Sequence, residues 1–342
     1  MKQMCHSKYL KNYNLNKLSL FRLIWTVIFF LNIQTALASF ILIPMDEVTQ
    51  TNHLKAYGIT YWSLNQGNKA KWLLNYEGGS FLLEDNEATR NECIIRGVTF
   101  SVISDTEAAA ILYEIGSPSK NMEAIILEKA PKIAVYSPKD KMPWDDAVTM
   151  VLTYAEIPFD IVYDTEVLEE KLLLYEWLHL HHEDFTGQFG KFYGSYRRAP
   201  WYLEQKKAAE NLATELGYKK VSQEKLAVAT KIRDFVIGGG FMFAMCSATD
   251  SFDIALAASG VDICEVMFDG DPSEKDYQDK IDFSKTLAFK DFDLVKSPME
   301  YEFSSIDMTR KRRVIKRTSD YFSLKEYSAK WDPIPTMLCQ NH

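Results

Sequence analysis

The chain has 342 residues, of which 47% are hydrophobic and 25% are charged, and its formal net charge at pH 7 is -8. This composition is typical of a globular protein, and the length predicts roughly two domains with enough chain for a substantial core. The acidic balance argues against a general nucleic-acid binder, because contacts with phosphates need clustered lysine and arginine side chains.

Residues 1–38 are predicted to be a signal peptide. Basic residues precede the apolar run from Leu23 to Leu31, and Ala36-Leu37-Ala38 is a small-residue cleavage pattern in front of Ser39. The run is shorter than the roughly 20 apolar residues that a membrane span needs. An uncleaved N-terminal anchor is the alternative. In either case we expect an exported protein, in the periplasm or attached to the cell envelope, that meets the membrane only through this segment.

Four cysteines remain after the predicted cleavage: Cys93, Cys246, Cys264 and Cys339. Their spacings match no zinc-binding pattern. One disulfide is compatible with an oxidising compartment, but four thiols are few for a disulfide-stabilised scaffold. The sequence alone does not pair them.

Residues 39–130 are predicted to form a small α+β domain. The stretch 58–84 is predicted to contain three β-rich pieces separated by two glycine-containing turns, and residues 93–103 to continue the β character. Residues 105–116 have the composition of a short helix that stops at a glycine. This domain carries no ligand-binding signature.

From residue 131 the pattern changes to strands that alternate with helices. Nearly all-apolar strands are predicted at 132–138, 159–164, 175–184 and 241–246, and helices at 144–155, 201–216, 222–236 and 247–258. This alternation predicts an α/β domain over 131–342, a doubly wound parallel sheet covered on both faces. In such sheets ligands bind beyond the carboxyl ends of the strands. The basic run at 310–317 is predicted to be a solvated edge.

Cys246 lies where the fourth of these strands is predicted to turn into a helix. Ala244 and Ala248, two residues before and two after it, are small, as a nucleophile elbow requires. The positive end of the following helix would favour a thiolate. The alternative is a buried core thiol, because cysteine is among the residues most often buried.

A nucleophilic cysteine needs a base, and His182 is the best-placed histidine, at the end of the third predicted strand of the sheet. Glu183 or Asp184 is available to orient its ring. No His-x-Glu pair follows Cys246. The sequence therefore predicts a catalytic group of Cys246, His182 and Glu183.

A metal site is the competing interpretation of the same strand. His179 and His181 are predicted to face one side of it, with Leu180 on the other, and two imidazoles with a carboxylate suit zinc. No other histidine cluster supplies further ligands, so strand-end histidines bonded to the following loop are the alternative. We predict no other cofactor and no ATP use, because the sequence has no nucleotide-binding loop. The loop at 184–202 is either a lid or an ordered crossover.

Four stretches of the chain resemble exported proteins of Bacteroidetes that carry the automatic label asparagine synthetase B. They are LIPMDEVTQTNHLKAYGITYW (42–62), WLLNYEGGSF (72–81), LHLHHEDFTGQFGKFY (178–193) and GGGFMFAMCSATDSFDIALA (238–257). The order of elements from 131 to 258 also resembles the class I glutamine amidotransferase-like fold. That resemblance implies that Cys246 occupies the nucleophile position.

The resemblance does not carry over a complete set of catalytic residues. Asparagine synthetases need an exposed N-terminal cysteine and an S-G-G-L-D-S-type loop, whereas Cys5 lies inside the predicted signal peptide and no such loop is present. The amidotransferase histidine and glutamate have no match, and no Gly-Gly turn follows the third strand of the sheet. We therefore expect a non-catalytic binding or scaffold module with an unidentified ligand or protein partner. A cysteine-dependent amidohydrolase using Cys246, or a metal-dependent enzyme using His179 and His181, is the alternative.

Overall fold

The structure is a computed structural model that describes residues 39–138 and 147–307. The predicted signal peptide, the basic run at 310–317 and Cys339 lie outside the described residues. The described chain forms two sheets, an antiparallel one followed by a parallel one, so the protein is of the mixed α/β class. The chain passes from the first sheet to the second between Leu127 and Ile133.

The antiparallel sheet has the strand order β4-β1-β3-β2-β5. Its strands are β1 (Ser39–Ile43), β2 (Ala70–Leu74), β3 (Phe81–Glu84), β4 (Ser101–Ser104) and β5 (Glu123–Leu127), and its helices are α1 (His53–Asn65), α2 (Glu87–Arg96) and α3 (Asp105–Ile115). Alternate strand residues pack on opposite faces, because successive side chains of a strand point to opposite sides. Ile41 and Ile43 contribute to the cluster that contains α1 and α2 residues, and Leu42 to the cluster that contains α3 residues.

Two stretches predicted to be β-rich are helical. Residues 58–65 belong to α1, and residues 93–96 end α2. Each helix has an asparagine N-cap, Asn52 or Asn86, whose side chain accepts a hydrogen bond from a backbone N–H of the first turn. Burial against the sheet outweighs the weak preference of β-branched and aromatic residues for strands, and fully buried Ile59 is an example.

The parallel sheet has the strand order β7-β6-β8-β9. Its strands are β6 (Ile133–Tyr136), β7 (Phe159–Val162), β8 (Trp177–Leu180) and β9 (Phe241–Ala244). The helices of this part are α4 (Ala147–Ala155), α5 (Asp164–Leu168), α6 (Tyr193–Tyr196), α7 (Pro200–Glu215), α8 (Val221–Ile237), α9 (Ala248–Ala257) and α10 (Val266–Asp269). All three strand pairs are parallel, as predicted. The order of the strands reverses between β6 and β8, the arrangement that opens a crevice at the carboxyl ends of an open sheet.

One face of the parallel sheet packs against helices, and the other is open at β9. Tyr136 and Leu178 share a buried cluster with Ile232 of α8 and Phe252 of α9. On the opposite face, Phe241 and Phe243 of β9 are 56% and 46% exposed. The predicted cover on both faces is therefore incomplete at β9 within the part of the chain that the structure describes.

Residues 261–307 have little regular structure. This described stretch contains α10, two single turns of 3-10 helix and one isolated bridge between Leu294 and Ser304. Phe292 and Phe303 of this region pack on Ile254 of α9. No helix within the described ranges combines the length and apolar character that crossing a membrane would require.

The two sheet-containing parts meet through α1 and α4. A Cβ atom added to Gly58 of α1 would lie 1.8 Å from the carbonyl oxygen of Ala155, so the two backbones approach too closely for any other residue. Glu156, which follows α4, forms ion pairs with Lys55 and with Arg96. The absence of a side chain at Gly58 therefore sets the distance between the helices.

We expect Gly58→Ala to destabilise the protein by about 1–3 kcal/mol in urea denaturation, because the new methyl group overpacks this contact. In an unconstrained helix the same change would stabilise by about 0.5–1 kcal/mol, so the sign of the effect is diagnostic. Gly116→Ala is the control. Gly116 also has right-handed helical backbone angles, and a Cβ atom added to it would lie 3.3 Å from its nearest neighbour, the Leu112 carbonyl oxygen. A Gly58→Ala protein as stable as the original would contradict the close approach.

Candidate functional site

Predicted site residues gather at the carboxyl edge of the parallel sheet. Leu180 of β8 pairs with Ala244 of β9, and the Met245 N–H donates to the Leu180 carbonyl at 2.9 Å. His182 and Cys246 each follow two residues beyond this pair. The strand register therefore places them at the same edge of the sheet, directly after two neighbouring strands.

Cys246 stands at the predicted turn from strand to helix. Its φ angle is 52°, in the left-handed region that non-glycine residues seldom adopt, and α9 begins two residues later at Ala248. Its thiol is exposed, whereas Cys93 and Cys264 are buried, and none of these three forms a disulfide. Ala248 is fully buried, which explains why the residue two positions after the cysteine must be small.

His182 is held by the neighbouring histidine. The Nδ1 atoms of His181 and His182 lie 2.7 Å apart, so one ring donates its N–H to the other. The two rings also meet edge to face at a centroid distance of 4.4 Å. Because Nδ1 of His182 is engaged in this contact, proton transfer at this ring would use Nε2.

Of the two carboxylates predicted to orient His182, Asp184 organises the following loop. Its carboxylate accepts from the backbone N–H and hydroxyl of Thr186 at 2.7 and 2.6 Å, and from the Gly190 N–H at 3.0 Å. The backbone carbonyl of Glu183 accepts from the Ser251 hydroxyl of α9 at 3.1 Å. The side-chain charge of Glu183 is among the causes that raise the pKa of Tyr163, which sits at the end of β7.

Lys191 fastens the same loop to the C-terminal part of the described chain. Its ammonium donates to the carbonyls of Val295 and Ser297 at 2.8 and 3.0 Å, and the residue is 2% exposed. Burial lowers the pKa of Lys191 to about 8. Buried anchors of this kind make the segment an ordered crossover rather than an open lid.

Two further residues of this part of the chain were not predicted from the sequence. Asp250, in the first turn of α9, is buried and accepts from the Ser304 hydroxyl at 3.3 Å. Burial, together with the charge of Asp307, raises the pKa of Asp250 to about 7. Burial raises the pKa of Tyr301, and the charge of Cys246 is the second cause. The structure thus places a buried acid in the first turn of the helix that follows the cysteine.

The two histidines predicted to bind metal stack on each other, with His179 in β8 and His181 directly after it. The ring of His179 stacks on His181 at a centroid distance of 6.1 Å and on Phe243 at 5.7 Å, while Leu180 belongs to the core on the other face. Within residues 39–138 and 147–307, the group that offers three possible metal ligands is Asp262, Cys264 and Asp269, which contains neither histidine.

That acidic group is organised around a lysine. The Lys220 ammonium lies 2.6 Å from Asp262 and 3.0 Å from Asp269. Burial raises the pKa of Cys264, whose thiol donates to the Thr186 carbonyl at 3.3 Å. The Lys220 ammonium already neutralises the carboxylates of this group, so the group is best explained as a structural ion-pair network.

A buried polar network lies just below the same edge, at the ends of β6 and β7. The Lys225 ammonium of α8 donates to both carboxylate oxygens of Asp164, at 2.9 and 2.7 Å, and to the hydroxyls of Tyr136 and Tyr163, at 3.0 and 3.3 Å. The Tyr136 hydroxyl donates to Asp164 as well. Burial opposes the charged form of Lys225, but the Asp164 carboxylate outweighs it and raises the pKa of Lys225.

Glu224 completes this network as a protonated acid. It is 1% exposed, and burial raises its pKa to about 8, with Asp164 adding to the effect. Among the described residues its Oε1 atom has no hydrogen-bond partner. Because charged residues near the start of a helix are usually solvated, the sequence contained no sign that Glu224 and Lys225 are buried.

We compared the chain with protein-family models, with curated proteins and with solved structures, and none of the three comparisons gave a match. The resemblance to the exported Bacteroidetes proteins therefore stays a prediction that rests on the four stretches quoted above.

We expect Lys225→Met to lower the free energy of unfolding by about 3–5 kcal/mol, because it leaves the Asp164 carboxylate buried without its counter-charge. Lys231→Met on the same helix removes an exposed pair with Glu170 and should cost less than about 1 kcal/mol. Urea denaturation of both variants makes the comparison. Similar losses for the two lysines would mean that Lys225 is not a buried partner of Asp164.

We expect the protein to lose stability as the pH rises from about 5 to about 8. Glu224 keeps its proton in the folded state up to about pH 8 but loses it at ordinary acidic pH when unfolded, so the folded state binds more protons in this window. Asp250 contributes in the same direction up to about pH 7. Glu224→Gln should flatten the pH dependence of the unfolding free energy, and exposed Glu215→Gln should not. An unchanged slope in Glu224→Gln would refute the protonated state.

Proposed function

We propose that this protein is a cysteine-dependent acyl-transfer enzyme, in which Cys246 attacks the carbonyl carbon of an amide or ester. The observation that carries the proposal is the exposed thiol of Cys246 at a φ angle of 52° between β9 and α9. A non-glycine residue in this conformation costs about 1–3 kcal/mol, and such strain is concentrated at functional sites. A core thiol would need neither the exposure nor the strain.

The neighbouring groups supply the other requirements of the reaction. His182 takes the thiol proton through Nε2 and returns it to the leaving group, while its Nδ1 contact with His181 orients the ring. The first N–H groups of α9 and the helix dipole stabilise negative charge at the sulfur. Water then releases the acyl group from the thioester, which restores Cys246. In this scheme His181 takes the orienting position that was predicted for Glu183.

A non-catalytic binding or scaffold module, expected from the sequence, remains the competing proposal. It is favoured by the absence of a His-x-Glu pair after Cys246. The exposed and strained cysteine favours catalysis over that alternative. A metal-dependent enzyme built on His179 and His181 has less support, because His179 is buried and packed on Phe243.

We also propose that the second part of the chain is a doubly wound domain of the class I glutamine amidotransferase-like type. The strand order β7-β6-β8-β9, the reversal between β6 and β8 and the cysteine at the end of β9 support this assignment. Membership of the exported Bacteroidetes group rests on the quoted stretches, and export rests on residues 1–38. The ligand is proposed to be a small acyl compound, without nucleic acid as a partner.

We predict that iodoacetamide alkylates Cys246 rapidly in the native protein. Peptide mapping by mass spectrometry follows each cysteine separately, and buried Cys93 and Cys264 serve as internal controls that should react slowly. The Cys246 rate should exceed that of free cysteine at pH 7 by at least about tenfold, because the proposed base His182 takes the thiol proton. His182→Ala should reduce the excess, and His53→Ala should not.

Two results would argue for the binding module instead. One is a Cys246 alkylation rate equal to that of free cysteine. The other is a rate that His182→Ala leaves unchanged, because it would separate the cysteine from its proposed base.

A further inference from the structure

A cleft in the antiparallel part of the molecule is lined by side chains that the proposed mechanism does not use. Its volume is about 360 Å³, within the range of small-molecule sites, which begins at about 300 Å³. The end of α1, the turn before β2, the end of β3 and the start of α2 form its walls. The aromatic and polar lining residues are Trp62, Gln66, Asn68, Glu84, Asp85 and Asn86.

Trp62 supplies the large apolar surface of this cleft. The residue is half-buried, and no aromatic ring of the described residues packs on it, whereas Trp72 stacks on Phe81. An indole combines a flat apolar face with one N–H donor. Within residues 39–138 and 147–307 the N–H group of Trp62 has no hydrogen-bond partner, so both parts of the side chain are available to a ligand.

The polar groups around Trp62 are also available. Gln66 and Glu84 are exposed, and in the part of the chain that the structure describes neither side chain forms a hydrogen bond or an ion pair. Asn68 donates to the Ser63 hydroxyl at 3.4 Å, which leaves its amide oxygen free to accept. The cleft therefore offers amide donors together with amide and carboxylate acceptors.

Internal contacts fix the wall that carries Glu84. Asn86 is the N-cap of α2, where its side chain accepts from the Thr89 N–H at 2.8 Å and donates to the Glu84 carbonyl at 3.4 Å. Asp85 is held by an ion pair with Arg90. Because these contacts position the wall before a ligand arrives, binding requires little ordering of the protein.

The combination of these groups selects a class of ligand. A sugar ring has an apolar face of C–H groups, which matches the indole of Trp62, and hydroxyls that each donate and accept a hydrogen bond. The carboxylates of Glu84 and Asp85 disfavour an anion, and the lining contains no lysine or arginine. A simple cation would leave the amide donors of Gln66 unpaired. A neutral sugar uses all of these groups.

We propose that this cleft binds a neutral monosaccharide unit. The ring face of the sugar packs on the indole of Trp62, the amide of Gln66 donates to one hydroxyl, and the carboxylate of Glu84 accepts from another. The proposal stands apart from the chemistry of Cys246, because every residue that carries it belongs to the antiparallel part of the chain.

Saturation-transfer difference NMR tests the proposal with three neutral probes, methyl β-D-glucopyranoside, methyl β-D-galactopyranoside and methyl α-D-mannopyranoside. Tetramethylammonium chloride is the cationic probe. The proteins are the original chain, Trp62→Ala, Gln66→Ala and, as the matched control, Gln205→Ala, which changes an exposed glutamine of α7. Gln66 is exposed, so its variant keeps the fold and tests the site even if Trp62→Ala is poorly folded.

We expect at least one glycoside to show saturation transfer on its ring C–H protons. Its Kd should rise about tenfold in Trp62→Ala, through loss of the aromatic contact, and about three- to tenfold in Gln66→Ala, through loss of hydrogen bonds. Gln205→Ala should bind as the original chain does. The proposal is wrong if no glycoside gives a signal, or if the signal is unchanged in Gln66→Ala. A tetramethylammonium signal that Trp62→Ala removes, with the glycosides silent, would identify a cation site instead.

Discussion

The parallel pairing of β8 with β9 is the constraint on which the candidate site depends. The pairing of Leu180 with Ala244 fixes the register of the two strands, so that His182 and Cys246 lie at the same edge of the sheet. A slip by one residue would turn every side chain of β9 to the opposite face and would separate the two groups. The turn into α9 then forces Cys246 into the left-handed region, with Ala248 packed beneath it.

Two buried lysines, Lys225 and Lys191, hold the segments around this edge in place. Lys225 of α8 forms buried hydrogen bonds with Tyr136 at the end of β6 and with Asp164 after β7. Lys191 ties the crossover after β8 to residues 295–297. Both lysines are buried, and their hydrogen bonds satisfy groups that would otherwise be costly to remove from water. The polar interior therefore acts as a support for the edge.

Much of the fold could be predicted because its signals are local. The strands of the parallel sheet are short and almost entirely apolar, and the helices between them are long enough to show their period. The helical ends of α1 and α2 were misread as strands, because residues such as Ile59 and Ile95 favour strands locally while the cap residues and the packing favour a helix. A single sequence does not contain that tertiary information.

The candidate site was predictable only in part, for the same reason. Small residues on both sides of Cys246 marked the turn, and strand order placed His182 nearby. Asp250 is paired with Ser304, which lies in a stretch without periodicity far along the chain. Buried Lys225 and Glu224 look like ordinary solvated helix residues in the sequence. Distant contacts and burial are properties of the folded chain.

Trapping the acyl-enzyme tests the central claim most directly. The protein is mixed with p-nitrophenyl acetate, quenched in acid within the first turnover and digested for mass spectrometry. If Cys246 is the nucleophile, the peptide that contains it gains the mass of one acetyl group, nearly stoichiometrically, and His182→Ala accumulates the adduct more slowly. An acetyl group spread over surface lysines, with the Cys246 peptide unmodified, would contradict the cysteine-dependent mechanism.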